Sequence, residues 1–262
     1  MQQVGKHCWC SPKSGIILAE STWQNVHVAD SDYKFLQMRD PFNRVVSMYL
    51  NKIVDIDVRH LADVKRENWV PWIDVPDPYD DIESRAKVYK NYLTHTGPGC
   101  YHLPMDPGKS LLDYTFRDFV FDILGELDLY QWFDPHFAYQ TKFFFTGDVE
   151  MTFDDVVMLE DLPEAYAKPA KALGVELDLS PEALAKAGRV GVKEDIDGPF
   201  HSWTVRQWWD LGKSPLPKYY DSFYTDVIRQ KVRDLYQPDF DLITQAQAVS
   251  YTHLTLPTIC SV

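Results

Sequence analysis

The chain has 262 residues, 45% of them hydrophobic and 14% aromatic, with a formal net charge of -13. That length can bury a full core, and a single domain over residues 1–248 is the expectation. So acidic a chain lacks the basic field that general nucleic-acid binding requires, and no apolar run is long enough to span a bilayer.

In chain order, the opening MQQVGKHCWC has no apolar stretch of the signal-peptide kind. Cys8, Cys10, Cys100 and Cys260 make no disulfide frame and share no zinc-site spacing with histidines. A reducing, cytoplasmic setting and no metal are expected. HCWC reads as a short strand, SPKSG as a turn, and IILAES as a brief helix. YKFLQM is a clear strand, followed by an amphipathic helix from Pro41 to about Ile53. Asp40 and Pro41 stand where an N-cap and a first-turn proline belong.

Residues 55–110 are rich in proline, aspartate and aromatics, with a helix over Ile82 to Leu93. In SLLDYTFRDFVFDIL, Leu112, Phe116, Phe119 and Ile123 recur at spacings of three and four, which predicts one buried helical face. TKFFFTG and DVVMLEDL read as buried strands. EAYAKPAKALG reads as a helix ending on Gly174 and kinked by Pro169. Residues 175–200 read as a polar connector, and YDSFYTDVIRQKVRDLY as the last firm helix. DFDLITQAQ, ending at Gln247, is a natural helix stop. The uncharged VSYTHLTLPT beyond it resembles a translated sequencing adapter, so 249–262 is expected to be a non-native tail. Strands separated by helices imply an α/β fold, mostly parallel, with ligands at the carboxyl edge of the sheet.

Two places carry anion chemistry. Arg39 ends a strand and offers a planar fork, while Arg44 and Ser47 share one face of the following helix. A guanidinium with a hydroxyl suits a monophosphate; the alternative is that Arg39 pairs with Asp40 or another acid and Ser47 fills a tight packing position. Ser11 to Gly15, SPKSG, is the second place. Backbone N–H groups near Ser14 and Gly15, with Lys13 as a point charge, would form an anion nest at a helix start. The same composition also makes an ordinary turn.

Taken in this order, the segments resemble the sulfotransferases that use 3′-phosphoadenosine 5′-phosphosulfate (PAPS), closest to the carbohydrate-type group. MRDPFNRVVSMYL is similar to that family's R-D-P-x-x-R-x-x-S-x-Y element. SLLDYTFRDFVFDIL resembles its Phe-rich helix, and WFDPHFAYQTKFF its D-x-H-W-x-x-Q segment, with Phe137 in place of tryptophan. FDDVVMLEDL and the closing GKSPLPKYYDSFYTDVIRQKVRDLYQPDFDLI, which ends in Tyr-x-x-Asp-Phe, match in the same order. Two features depart from the pattern. IILAE lacks the hydroxyl residue that usually follows the loop lysine, and Lys13 and Arg39 stand only 26 positions apart.

The resemblance implies a P-loop NTPase-like sulfotransferase fold. It implies that Arg39 and Ser47 hold the nucleotide's 3′-phosphate, and that Lys13, Ser14 and Gly15 cradle the 5′-phosphosulfate. Lys213 and Ser214 would touch the nucleotide from the C-terminal loop. For the catalytic base His136 is favoured, with Glu160 and Asp134 as alternatives, although Glu160 at a strand end suits fixing an arginine. The implied partners are PAPS as co-substrate and a glycan or small-molecule acceptor, with no metal. Trp69, Trp72, Trp203, Trp208 and Trp209, with Tyr219, Tyr220 and Tyr224, are either acceptor-stacking residues or packing. Two rivals stand beside this reading: a small-molecule kinase, which would need a triphosphate loop the sequence lacks, and a non-catalytic relative that binds nucleotide or glycan only.

Overall fold

The computed structural model describes residues 2–3, 8–10, 17–19, 35–56, 81–95, 101–130, 136–141, 155–161, 164–174, 193–194, 196–211, 216–217 and 220–254. The strands are β1 (Gln2–Gln3), β2 (Cys8–Cys10), β3 (Ile17–Ala19), β4 (Phe35–Met38), β5 (Asp155–Met158), β6 (Lys193–Glu194) and β7 (Leu216–Pro217). The helices are α1 (Pro41–Tyr49), α2 (Ile82–Thr94), α3 (Phe116–Asp118), α4 (Glu164–Leu173), α5 (Val205–Asp210), α6 (Asp226–Leu235) and α7 (Gln237–Leu254). The chain divides into two compact units: Met1–Pro41 with Ala138–Arg189 and Tyr236–Val262, and Phe42–Phe137 with Val190–Leu235. The described residues are helix-rich with a small parallel sheet, the coarse α/β arrangement that alternating strand and helix signals imply.

In the first unit, β4 and β5 pair in parallel, with Phe35 opposite Asp155 and Met38 opposite Met158. Leu36 and Met38 are buried while Gln37 between them is exposed, the alternation of a half-buried strand. α4 and α7 both contact β5. α4 runs through Pro169 and ends at Gly174, whose φ of +62° is the left-handed C-terminal conformation glycine adopts without steric cost. α7 continues to Leu254, past the stop expected at Gln247.

One expectation is overturned here. β1, β2 and β3 form an antiparallel sheet with Cys10 opposite Ile17, so a strand stands where IILAES was expected to be helical. Consecutive β-branched Ile16 and Ile17 favour extended backbone, and six residues are too few to repay helix nucleation.

The second unit is built on aromatic packing. Leu112, Phe116, Phe119 and Ile123 are all fully buried, as their spacing predicts. They do not lie on one regular α-helix: α3 passes into a π-helical turn over Phe119–Ile123, and α1 likewise into one over Leu50–Val54. Tyr49, at the end of α1, packs edge-on against Phe116 at 5.4 Å and near Phe119 and Phe223. Its hydroxyl lies 3.4 Å from the carbonyls of Tyr114 and Trp203. Burial pushes this phenol far above its ordinary pKa, so it stays neutral.

Two matching helix starts frame this core. Thr115 with Asp118, and Thr204 with Gln207, each form a capping box. An antiparallel bridge joins Thr115 to Thr204, and the Val205 N–H donates to the Tyr114 carbonyl at 2.9 Å. Buried Arg85 donates Nη2 to the Ile56 carbonyl at 3.1 Å and lies 4.7 Å over the Trp209 ring, whose Nε1 donates to Val54. Together they satisfy carbonyls where the α1 element ends.

Candidate functional site

Arg39 follows β4 directly, at the carboxyl end of the parallel pair, where α/β sheets present ligand-facing groups. Its backbone is fixed by a side chain. The Arg39 N–H donates to Gln140 Oε1 at 2.9 Å, and Gln140 Nε2 donates to the Arg39 carbonyl at 2.9 Å. The glutamine amide thus copies the two bonds a neighbouring strand would make, one residue beyond the ladder. Gln140 is seated in turn by Asp239, which accepts from the Gln140 N–H at 3.0 Å and the Thr141 N–H at 2.9 Å, with Gln140 Nε2 3.5 Å away. Asp239 is fully buried.

The Arg39 side chain is oriented by Glu160, just past the end of β5. Arg39 Nε lies 3.4 Å from Glu160 Oε1, and the Asp40 N–H donates to Glu160 Oε2 at 3.1 Å. One carboxylate therefore holds both the arginine stem and the first peptide before α1. The two side chains keep 30% and 28% exposure, so the ion pair is screened and contributes well under about 1 kcal/mol. Its value is directional. With Nε engaged, the two Nη nitrogens have no partner among the described residues, and that edge of the fork can take two oxygens of one anion.

Ser47 belongs to the second unit, on α1, half-buried. Its Oγ accepts from Asn51 Nδ2 at 3.2 Å, and among the described residues its proton has no acceptor. Arg44, one helical turn earlier on the same face, is buried with 9% exposure. His136 is exposed, and Phe137 beside it is fully buried against Tyr101.

The other predicted site residues, Lys13, Ser14, Gly15, Lys213, Ser214 and Asp134, lie outside the described residues, as do Trp69, Trp72 and Tyr219. The aromatics that are described serve packing. Trp208 stacks on Phe223 with an interplanar angle of 2°, Trp203 meets Phe200 edge-on, and Tyr220 meets Phe223 edge-on. The Tyr224 hydroxyl donates to the Phe42 carbonyl at 2.7 Å. Gln140 and Asp239 were visible in sequence only as polar letters of the D-x-H-W-x-x-Q and Tyr-x-x-Asp-Phe segments, and nothing there marked Asp239 as buried. Among the described residues no group of three or more His, Cys, Asp or Glu side chains is placed to hold a metal ion, and no helix is long and apolar enough to cross a membrane.

Comparison with known proteins bears on what this arrangement is for. No curated protein and no solved structure matches the chain. A family model described as the sulfotransferase family matches residues 17–243, a span that contains Arg39, Ser47, His136, Gln140, Glu160, Lys213, Ser214 and Asp239 and begins after Lys13, Ser14 and Gly15. With most of its length matched, and its strand-to-helix arginine at the carboxyl end of a parallel pair, the chain belongs to the sulfotransferase family.

Proposed function

We propose that the chain moves a sulfuryl group from PAPS to a hydroxyl or amine of a carbohydrate or small-molecule acceptor. The observation that carries this is the Arg39 guanidinium at the end of β4, in a chain whose residues 17–243 match the sulfotransferase family. Among the described residues the Arg39 Nη edge has no partner; Ser47, in the second unit, has no acceptor for its hydroxyl proton among the described residues and is assigned to the same phosphate on the sequence motif alone. In this reading Arg39 and Ser47 bind the 3′-phosphate, which no AMP-like nucleotide carries. Lys213 and Ser214 contact the nucleotide from the C-terminal loop.

The reaction is an in-line displacement. The acceptor oxygen or nitrogen attacks sulfur, and the bond between sulfur and the bridging phosphate oxygen breaks. Adenosine 3′,5′-bisphosphate leaves, and the acceptor's proton passes to a base. Lys13 stabilises charge on the bridging oxygen, with Ser14 and Gly15 offering backbone N–H groups beside it. Transition states of this type are loose, so positioning and charge stabilisation carry most of the rate, as in phosphoryl transfer. Exposed His136 is the base in this scheme, because a neutral imidazole nitrogen can accept the acceptor's proton. Glu160 is engaged with Arg39 and Asp40 and serves orientation. The acidic character of the chain disfavours a polysulfated acceptor and favours a neutral or lightly charged one.

A second reading, a relative that binds nucleotide without transferring sulfate, draws on two observations. β3 replaces the helix expected after the loop, and the family match starts beyond Lys13. Transfer of labelled sulfate from PAPS to a panel of sugars and small alcohols, by wild type and Lys13→Ala, separates the two. Transfer that disappears in Lys13→Ala while bisphosphate binding persists supports the enzyme with Lys13 in its assigned role. Binding with no transfer in wild type supports the second reading, and unchanged transfer in Lys13→Ala refutes the loop assignment.

A further inference from the structure

Three buried or part-buried polar arrangements stand out: Arg85 under Trp209, the Lys90 ammonium among the carbonyls of Asp106, Pro107 and Lys109, and the Gln140–Asp239 pair behind Arg39. The first two end in backbone carbonyls of their own unit, which accounts for them as structural. The third does not end in the fold. It ends on the peptide of the residue proposed to bind phosphate.

We propose that Gln140 and Asp239 form a positioning relay that sets the backbone of Arg39, and thereby the 3′-phosphate selectivity of the nucleotide site; the inference rests on the proposed role of Arg39. The chemistry of the relay is directional. Gln140 Oε1 must face the Arg39 N–H and Nε2 must face the Arg39 carbonyl, because the reverse orientation would set donor against donor and acceptor against acceptor. Asp239 enforces that choice. Its buried carboxylate accepts from the Gln140 backbone and lies on the Nε2 side, where an amide oxygen would be repelled. Asp239 also takes the Thr141 N–H, so both oxygens are occupied and the carboxylate has a fixed plane.

The consequence follows from where the ladder stops. The β4–β5 pairing ends at Met38–Met158, so among the described residues the strand ladder does not reach the Arg39 peptide. Gln140 extends the sheet-like pairing by one residue. Glu160 then needs only to hold Nε for the Nη edge to have one direction. Without the relay, Arg39 keeps its charge but loses its aim, which costs a bidentate phosphate contact more than a general attraction for anions.

The test compares the affinities of adenosine 3′,5′-bisphosphate and AMP, measured by calorimetry on the full chain and on Gln140→Glu, Gln140→Met and Asp239→Asn. Gln140→Glu keeps size but faces a carbonyl and a carboxylate with a second carboxylate. Gln140→Met keeps size with no polar atom, and Asp239→Asn keeps shape while setting an amide N–H against backbone donors. The relay predicts that the bisphosphate-to-AMP affinity ratio falls about tenfold in each, with AMP affinity within about twofold of wild type. Loss of packing alone would lower the melting temperature and leave the ratio unchanged, and that result overturns the inference. In the unaltered protein the Arg39 amide should show slow hydrogen exchange although it lies beyond the ladder; exchange at the unprotected rate overturns the relay without any substitution. A wild-type ratio near one would instead refute the phosphate role of Arg39 itself.

Discussion

Replacing Ser47 by alanine should move stability and nucleotide affinity in ways that packing cannot imitate. The hydroxyl accepts one hydrogen bond from exposed Asn51, four residues on, at 3.2 Å. Such an i, i+4 contact contributes about 0.2–0.5 kcal/mol. Alanine is the better helix former by up to about 0.5 kcal/mol, so the two effects nearly cancel and the ligand-free melting temperature should stay within a degree or two. A hydroxyl donating to phosphate is a charge-assisted bond of about 1.5–3 kcal/mol, and its loss weakens adenosine 3′,5′-bisphosphate between roughly tenfold and a hundredfold. Thermal unfolding with and without ligand reads both quantities. At a ligand concentration about 100 times the wild-type Kd, the stabilisation is about 2.7 kcal/mol, and a tenfold weaker variant retains about 1.4 kcal/mol. AMP should stabilise both proteins equally. If Ser47→Ala lowers the ligand-free melting temperature by several degrees, Ser47 is a packing residue. If bisphosphate stabilisation is unchanged, it is not a phosphate ligand.

Three further outcomes are expected. Phe116→Ala removes a fully buried ring that meets Tyr49 and Phe223 edge-on, and should cost about 3–5 kcal/mol in chemical denaturation. Tyr49→Phe removes only a hydroxyl with two long contacts and should cost no more than about 1.5 kcal/mol; equal losses would contradict the packing hierarchy. Burial pushes the Asp118 carboxyl up, but bonds from Lys109 and Thr115 outweigh it and hold its pKa below the ordinary value. The unfolded chain therefore takes up that proton first as pH falls, and stability is lost as pH drops from about 4 through the folded pKa. Asp118→Asn should flatten this acid limb of the stability profile, and an unchanged slope would show that the pairing is not felt. At Gly198 an added Cβ would stand 2.8 Å from the Trp203 ring. Gly198→Ala should accordingly destabilise by about 1–3 kcal/mol in the same assay, and a neutral result would mean the ring can shift.

Legibility from sequence followed whether a signal was local. α1 and its start at Pro41 were readable because turn chemistry and helical spacing coincide there. The buried face Leu112, Phe116, Phe119 and Ile123 was readable because period marks burial whatever the helix type, and for the same reason the π-helical turn at Phe119 was invisible. IILAES misled because a short aliphatic run fits either state, and pairing with β2 decided for strand. For Arg39 two alternatives stood open, an acid or a phosphate. The structure shows an acid, Glu160, at Nε and no partner at the Nη edge among the described residues. The partnership of Gln140 with Asp239, 99 positions apart, was beyond reach because no local rule pairs an amide with a distant carboxylate.

Arg39 and Ser47 are proposed to serve a 3′-phosphate. Calorimetric titration of wild type and Arg39→Ala with adenosine 3′,5′-bisphosphate and with AMP tests this role most directly. Wild type should bind the bisphosphate tightly and AMP at least about tenfold more weakly, and Arg39→Ala should treat the two ligands alike. Equal affinity of wild type for both ligands would contradict it.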